Sequence, residues 1–458
     1  MKRNLVIFML ILMLTITVLV SCAQPETSSD GETSSSEPLG TSNTETSTTP
    51  AVTSTQTTTE SGPSEEELRA MEMVEKLYSL YAVEGGNRDR AFVNYKEYHN
   101  TTQSGFLWTN FSAVGMQYYV CKLYPDDAEQ KAIFEKMINN FKYFRQSRPE
   151  QNAAANSVKY HSGRGTTFYT GNGTCYFDDN IWVARNYLRA YEILGDKWYL
   201  EEAIRVNNWV LSGWNNELGG IVWSEEGLGE NANEQHLERG LSANACGIIV
   251  NAMLAGIVED EAQKAFHLEW AEKFYNFCKK MQNKPITYDY FNGIHTKIVN
   301  GVRMDGDINK AHYAYNSGSM ILANFALYKV TTDEAKKAEY LDDAIGTANA
   351  AKRKFNTTDP ETTKRYYKHD PWFAAILCEA YFELGEFDRK LADSLMKTFA
   401  NNAKYAFENR DKATGLLPYQ ATRQYGSIGR NDEHWGIHQI GTVQQAVMAA
   451  LYDKTYTD

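Results

Sequence analysis

The sequence predicts an all-α chain closed into an (α/α)6 barrel, and three observations carry that prediction. Helical segments that are apolar all round alternate with amphipathic, charged ones. Short connections alternate with long ones in the same rhythm. Two of the charged segments also repeat one another, Tyr199-Leu200-Glu201-Glu202-Ala203-Ile204 against Tyr340-Leu341-Asp342-Asp343-Ala344-Ile345. A repeat on this scale marks a stacked or closed helical array.

The first amphipathic segment opens with Ser64-Glu65-Glu66-Glu67, a capping box, and carries Leu68, Met71, Val74, Leu77, Tyr78 and Tyr81 on one face. It predicts a helix over Ser64 to Tyr81. The other charged segments are Ala128 to Phe144, Lys197 to Leu211, Asp260 to Met281, Asp333 to Phe355 and Phe387 to Phe407. These form the expected outer ring. The apolar segments are Phe106 to Tyr124, Asp179 to Leu194, Leu241 to Val258, Asn316 to Val330, Pro371 to Leu384 and His438 to Tyr452. A helix that is apolar on every face must be covered on every face, so these form the expected inner ring. Inner-to-outer connections such as Gly195-Asp196 are tight. Most outer-to-inner connections, such as 145–177, 212–240, 282–314 and 408–437, are long and rich in Gly, Asn and aromatic residues. In an antiparallel barrel the long connections share one end, and long loops in a compact domain are usually functional.

The ends of the chain are of other kinds. Lys2 and Arg3, the apolar run Leu5 to Val20 and Ser21-Cys22 have the form of a lipoprotein signal, with cleavage before Cys22 and lipid on its thiol. Residues 1–22 are therefore expected to be a targeting segment that places the protein at the cell surface or the outer face of the membrane. Residues 23–63 are mostly Ser, Thr, Glu, Gly and Pro, without an aromatic residue, and read as a disordered tether. Its stretch from Glu26 to Gly62, about 37 residues, spans on the order of 35 Å. Residues 64–458 make the expected single domain. A net charge of −12 and the absence of a Lys/Arg stripe argue against a nucleic-acid partner. Cys121, Cys175, Cys246, Cys278 and Cys378 are scattered and odd in number, and read as buried thiols.

The candidate chemistry centres on Asp178 and Asp179, where a long loop enters an inner helix. Paired carboxyl groups cleave glycosidic bonds, one as nucleophile and one as acid and then base, when held about 5–5.5 Å apart. The helix dipole favours one ionised member, and two close carboxylates resist double ionisation. The competing reading is a helix N-cap, a role aspartate also favours. Other inner-helix starts supply Asn244, Tyr315, Asn316, His369, Asp370, Trp372, His434 and His438. Met304-Asp305-Gly306-Asp307-Ile308-Asn309 resembles half a calcium loop but lacks the downstream glutamate ligand.

Tyr176-Phe177-Asp178-Asp179-Asn180-Ile181-Trp182, followed by Ala190-Tyr191 and Gly195-Asp196, resembles the signature of glycoside hydrolase family 76. So do Gly219-Gly220-Ile221-Val222-Trp223 and Tyr315-Asn316-Ser317-Gly318. The resemblance implies an (α/α)6 barrel with endo-acting, retaining α-1,6-mannanase activity and no metal or other cofactor. It makes Asp178 the nucleophile and Asp179 the acid/base. The candidate substrate contacts are Asn180, Trp182, Trp223, Asn244, Tyr315, Asn316 and Trp372. Val183, where a second aromatic is common, and Ser317, where glutamine is frequent, depart from the pattern. The expected partners are α-mannan or manno-oligosaccharides and, through Cys22, a membrane; the expected state is a monomer. Two rivals remain at this point: a sugar epimerase or other glycosidase on the same toroid, with His312, His434 and His438 as candidate acids and bases, and a lipoprotein that only captures glycans. Because the tether has almost no large apolar residue (Leu39 and Val52 are the exceptions), a chain beginning at Ser64 is expected to keep full stability and full turnover of soluble mannan. Thermal melts and product assays on the two lengths check this, and a loss in the shorter chain would show that the segment packs on the barrel.

Overall fold

The computed structural model describes residues 62–456 except 153, 155, 230 and 231. The signal segment, Cys22 and nearly all of the tether lie outside the described residues. Within them are twelve long helices: α1 (Glu65–Tyr81), α2 (Leu107–Leu123), α3 (Ala128–Asn139), α4 (Phe177–Leu194), α5 (Lys197–Leu211), α6 (Leu241–Ile257), α7 (Glu261–Lys279), α8 (Ala314–Val330), α9 (Glu334–Phe355), α10 (Pro371–Leu384), α11 (Arg389–Glu408) and α12 (Gly436–Tyr456). The even-numbered helices form the inner ring. Each packs on the next, and α12 packs back on α2, closing an (α/α)6 barrel. The odd-numbered helices cover the outside. On α1 only a stripe containing Ala70, Met73, Val74, Leu77 and Tyr81 is buried, as the 3.6-residue period requires. On α6 nearly every residue is buried.

Helix starts divide sharply between the two rings. All six outer helices are capped by a side chain that accepts backbone N–H bonds: Ser64, Asp127, Asp196, Asp260, Asp333 and Asp388. Of the expected capping box at the start of α1, the Ser64 half forms; the Glu67 side chain instead meets Tyr124 and Lys454. The inner helices α2, α4, α6 and α8 begin at Phe106, Tyr176, Gly240 and Tyr313 without any side-chain cap. Asp370 caps α10.

In place of caps, α2, α4 and α6 carry an amide clamp. Asn110, Asn180 and Asn244 each stand four residues after the start and donate Nδ2–H to its carbonyl, at 2.9, 2.7 and 2.7 Å. Their Oδ1 atoms accept from the backbone N–H of Phe92, Tyr160 and Ile221 in the preceding long loops, at 2.9, 2.7 and 2.9 Å. Gln439 does the same for Leu417 on α12, at 2.9 Å. The long loops are thus stitched to the inner helices by one repeated device.

Those loops also hold strands that the helical reading did not include. β1 (Arg239–Gly240), β2 (Gly293–Val299) and β3 (Val302–Asn309) form an antiparallel sheet, and β4 (Asn356–Thr358) pairs with β5 (Arg365–Tyr367). Asn300-Gly301, at φ of 52° and 78°, makes the tight turn between β2 and β3. The half calcium loop is β3, with Asp305 paired to the fully buried Arg239. Arg239 also donates to Thr296 Oγ1 and to the carbonyls of Leu218 and Gly219, so one side chain fastens the hairpin to the 212–240 loop. Deep in the barrel, Arg185 and Arg189 of α4 both pair with Glu379 of α10, on the opposite wall. Burial opposes ionisation of Glu379, but the two guanidinium groups outweigh it and hold its carboxyl below the usual range. The five described cysteines are free and buried, as expected.

Asn110→Ala or Asn244→Ala leaves a buried loop N–H unpaired, which costs about 1–3 kcal/mol. Each variant is expected to melt several degrees lower; an unchanged midpoint would show that water replaces the clamp.

Candidate active site

Tight turns at 124–127, 195–196, 258–260, 331–333 and 385–388 lie at one end of the barrel, and the inner-helix N-termini with their long loops lie at the other. Asp178 and Asp179 occupy the first turn of α4 at the long-loop end. The residue at the cap position is Tyr176, so neither aspartate is the N-cap. Asp178 Oδ1 accepts the Asp179 N–H at 2.9 Å, and Asp178 Oδ2 accepts the Trp223 indole N–H at 3.2 Å. Burial pushes the Asp178 carboxyl up to about 6, against the pull of these donors. Asp179 is pushed well above the usual carboxylate range, first by burial and then by the negative charge of Asp178. Chemically equal groups thus differ in their surroundings: burial opposes the charge of both, two N–H donors ease that of Asp178, and a charge on Asp178 opposes one on Asp179.

The remaining predicted contacts fall into three groups. Asn180 and Asn244 are fully buried and serve as amide clamps, their polar atoms committed to backbone rather than turned toward a ligand. Trp182 and Trp372, at 4% and 5% exposure, form a buried aromatic layer. Their ring centroids lie 5.7 Å apart, and Phe111 stacks on Trp182 at 6.4 Å. Tyr315 and Asn316 both donate to Asn292 Oδ1 at 3.0 Å. Tyr315 is partly exposed, and its hydroxyl is held protonated by burial, with Tyr313, Asp178 and Glu238 adding to the effect. Trp223 is partly exposed and touches Asp178 directly.

Trp108 is a further partly exposed ring, 5.5 Å from both Trp372 and Trp435. Its signal was helix register. Trp108, Asp178, Tyr315 and Trp372 each stand two residues after the cap position of an inner helix. The candidate histidines are otherwise engaged. His434 meets Glu97 and Tyr425 at 2.6 Å each, and His438 meets Asp370 at 2.5 Å and the Asp432 carbonyl at 2.7 Å. His312 is half-buried against Phe291. Among the described residues no group of three or more His, Cys, Asp or Glu could hold a metal.

A family model described as Glycosyl hydrolase family 76 matches residues 93–457. The chain belongs to this family. No curated protein matches the sequence. The fold of this family 76 glycoside hydrolase is similar to that of a family 76 mannosidase from Bacteroides thetaiotaomicron, with 18% identity and a TM-score of 0.69 over 86% of this chain and 100% of that one. It is also similar to an inactive variant of the α-1,6-mannanase of Salegentibacter sp. HEL1_6 in complex with α-1,6-mannotriose, with 19% identity and a TM-score of 0.61 over 84% of this chain and 99% of that one. The Lin0763 protein from Listeria innocua matches at 20% identity and a TM-score of 0.61, over 86% of this chain and 99% of that one.

In this glycoside hydrolase the carboxyl pair weakens the fold at neutral pH. Below the unfolded value, about 3.9, both states hold the proton and the pair has no effect. Above it the unfolded chain ionises freely while folded Asp179 resists, so stability falls as pH rises. Asp179→Asn is therefore expected to raise the melting midpoint at pH 7, with the gain shrinking toward pH 4. Calorimetry at both pH values checks this; no gain at pH 7 would show that Asp179 ionises without penalty.

Proposed function

We propose that this glycoside hydrolase is an endo-acting α-1,6-mannanase that retains anomeric configuration, with Asp178 as nucleophile and Asp179 as acid/base. The observation that carries the reading is the placement of two adjacent carboxyl groups in the first turn of α4 at the long-loop end, with the Asp179 N–H and the Trp223 indole N–H both donating to Asp178. In the first step Asp178 attacks C1 of the sugar on its β face, while Asp179 gives its proton to the departing glycosidic oxygen. A β-linked mannosyl ester and a shortened glycan result. In the second step Asp179, now ionised, takes a proton from water as the water oxygen attacks C1. Asp178 leaves, and the product has the α configuration. The fold of the Salegentibacter enzyme supports the substrate class, since that protein, inactivated by replacing two adjacent aspartates, holds α-1,6-mannotriose. The tie-up of His434 and His438 favours hydrolysis over histidine-based epimerisation. We place the enzyme on the outer face of the cell through lipid on Cys22, and as a monomer, on the sequence reading alone.

Incubation with a panel of α-mannans, followed by mass analysis, is expected to show internal cleavage of α-1,6 backbones with one water added per cut. Asp178→Ala is expected to abolish turnover on every substrate, because no covalent intermediate can form. Asp179→Ala is expected to fail on mannan but to turn over a substrate with a good leaving group when azide is added, giving an α-glycosyl azide. Rescue in the opposite pattern would mean that the two roles are exchanged. Near-normal activity in either variant would mean that the doublet is structural, and mannan binding without any cleavage by the unmodified chain would favour a glycan-capturing lipoprotein.

A further inference from the structure

Trp223 invites a reading as a sugar-stacking platform, yet its surroundings point elsewhere. The rings of Tyr176 and His236 both lie against the indole, with centroids at 4.9 and 5.8 Å, and the His236 ring is stacked within 18° of it. His236 is itself fixed by Ser224 Oγ at 2.7 Å. The Trp223 carbonyl accepts the N–H of Phe177, the first residue of α4, at 3.0 Å, and Ser224 bridges to Tyr176. Backbone and ring are therefore both anchored to the turn that bears the aspartates. From this position the indole N–H reaches Asp178 Oδ2, while Oδ1 is held by the Asp179 N–H.

Resting on the assignment of Asp178 as nucleophile, we propose that Trp223 is a positioning residue, whose indole N–H orients Asp178 for attack and directs the negative charge to Asp178 rather than Asp179. The choice of donor matters. An indole N–H can only donate, so it supports the carboxylate and has nothing to offer the proton of a carboxylic acid. It is also neutral. A Lys or Arg there would stabilise the charge more strongly through a charge-assisted bond and would blunt the nucleophile. The other titratable groups around Asp178 are Asp179 and Tyr176 on its own turn and Tyr315 on α8; Glu226 and His236 lie beyond the indole in the 224–237 segment. The direct side-chain donor to Asp178 is the Trp223 indole N–H.

The test is Trp223→Phe in the full chain, assayed on α-1,6-mannotetraose across pH. Phenylalanine keeps a ring against Tyr176 and His236 and removes the donor. A lost hydrogen bond to a charged group corresponds to about 10- to 100-fold, so kcat is expected to fall by that factor with KM within about twofold. Losing a donor to the carboxylate makes Asp178 harder to ionise, so the acid limb of the pH–rate profile is expected to move to higher pH. If Trp223→Phe folds poorly, a benzothiophene side chain at 223, with sulfur in place of N–H, asks the same question at the same shape. A several-fold rise in KM with an unmoved acid limb would overturn the proposal and make the ring a sugar platform. Unchanged kcat and pH profile would overturn it as well. Asp178→Ala run in parallel separates the two levels: its inactivity beside an unchanged Trp223→Phe refutes the positioning role alone, whereas its near-normal activity refutes the catalytic assignment beneath it.

Discussion

The parallel packing of six inner helices, closed by α12 against α2, is the constraint on which the candidate site depends. Tight turns force each outer helix antiparallel to its inner partner, so every inner helix must start at the same end. Six positive helix ends then converge, and on α2, α4, α6 and α8 no side chain caps them. The outer helices, whose starts lie at the opposite end, are all capped. Capping at the long-loop end would use local side chains to neutralise the field that a catalytic carboxylate can use. The amide clamps resolve the conflict: they act four residues in, fix the loops, and leave the first turn of α4 to the carboxyl pair.

The same arrangement explains where the fold accepts a penalty. Two carboxyl groups in one partly buried turn are worse for stability than two amides, and among the described residues no basic side chain is paired with them. The paired charges lie lower down. The Arg185–Glu379–Arg189 group joins opposite walls of the barrel, and the aromatic layer of Phe111, Trp182 and Trp372 separates that charge from the candidate site. Arg185, packed at 5.4 Å from the Trp182 ring, meets the layer from one side. A guanidinium directly beside Asp179 would pull its proton off and remove the difference between the two aspartates.

Much of this was legible in the sequence because it depends on periodicity. All-round apolar helices, tight turns ending in aspartate and the position of the doublet follow from side-chain pattern alone. Helix starts moved by two residues or so: α4 begins at Phe177 rather than Asp179, and α8 at Ala314 rather than Asn316. That small shift matters, since it turns the doublet from a cap into first-turn residues. The hairpin of β2 and β3 was missed although Asn300-Gly301 between Val299 and Val302 is a strong turn signal; the alternation around it is broken by charged residues on a mostly exposed arm. Asn180 and Asn244 were read as sugar contacts because polarity at a cleft end looks the same whether it faces a ligand or a loop backbone. Only the backbone route of the preceding loop, which no local pattern encodes, distinguishes the two. For the same reason the bond from Trp223 to Asp178, 45 positions apart, was invisible.

The division of labour proposed for Asp178 and Asp179 therefore belongs to the surroundings rather than to the residues. Near-equivalent inner helices place Trp108, Tyr315 and Trp372 at the level of Asp178, and Thr109, Asn316 and Phe373 at the level of Asp179. The barrel repeat supplies positions of matched height but no asymmetry between neighbours. Asymmetry enters first within the turn, where the Asp179 N–H donates to Asp178, and is increased by the 212–240 loop, which brings the Trp223 indole N–H to the same carboxyl group. That loop is held by Asn244 through Ile221, by Arg239 through Leu218 and Gly219, and by Phe177 through Trp223. Three anchors on one loop make sense if its task is to hold a single N–H in place, because a bond of 3.2 Å loses its direction with a small drift. The anchoring of the loop and the unequal surroundings of the two aspartates are one feature of the molecule.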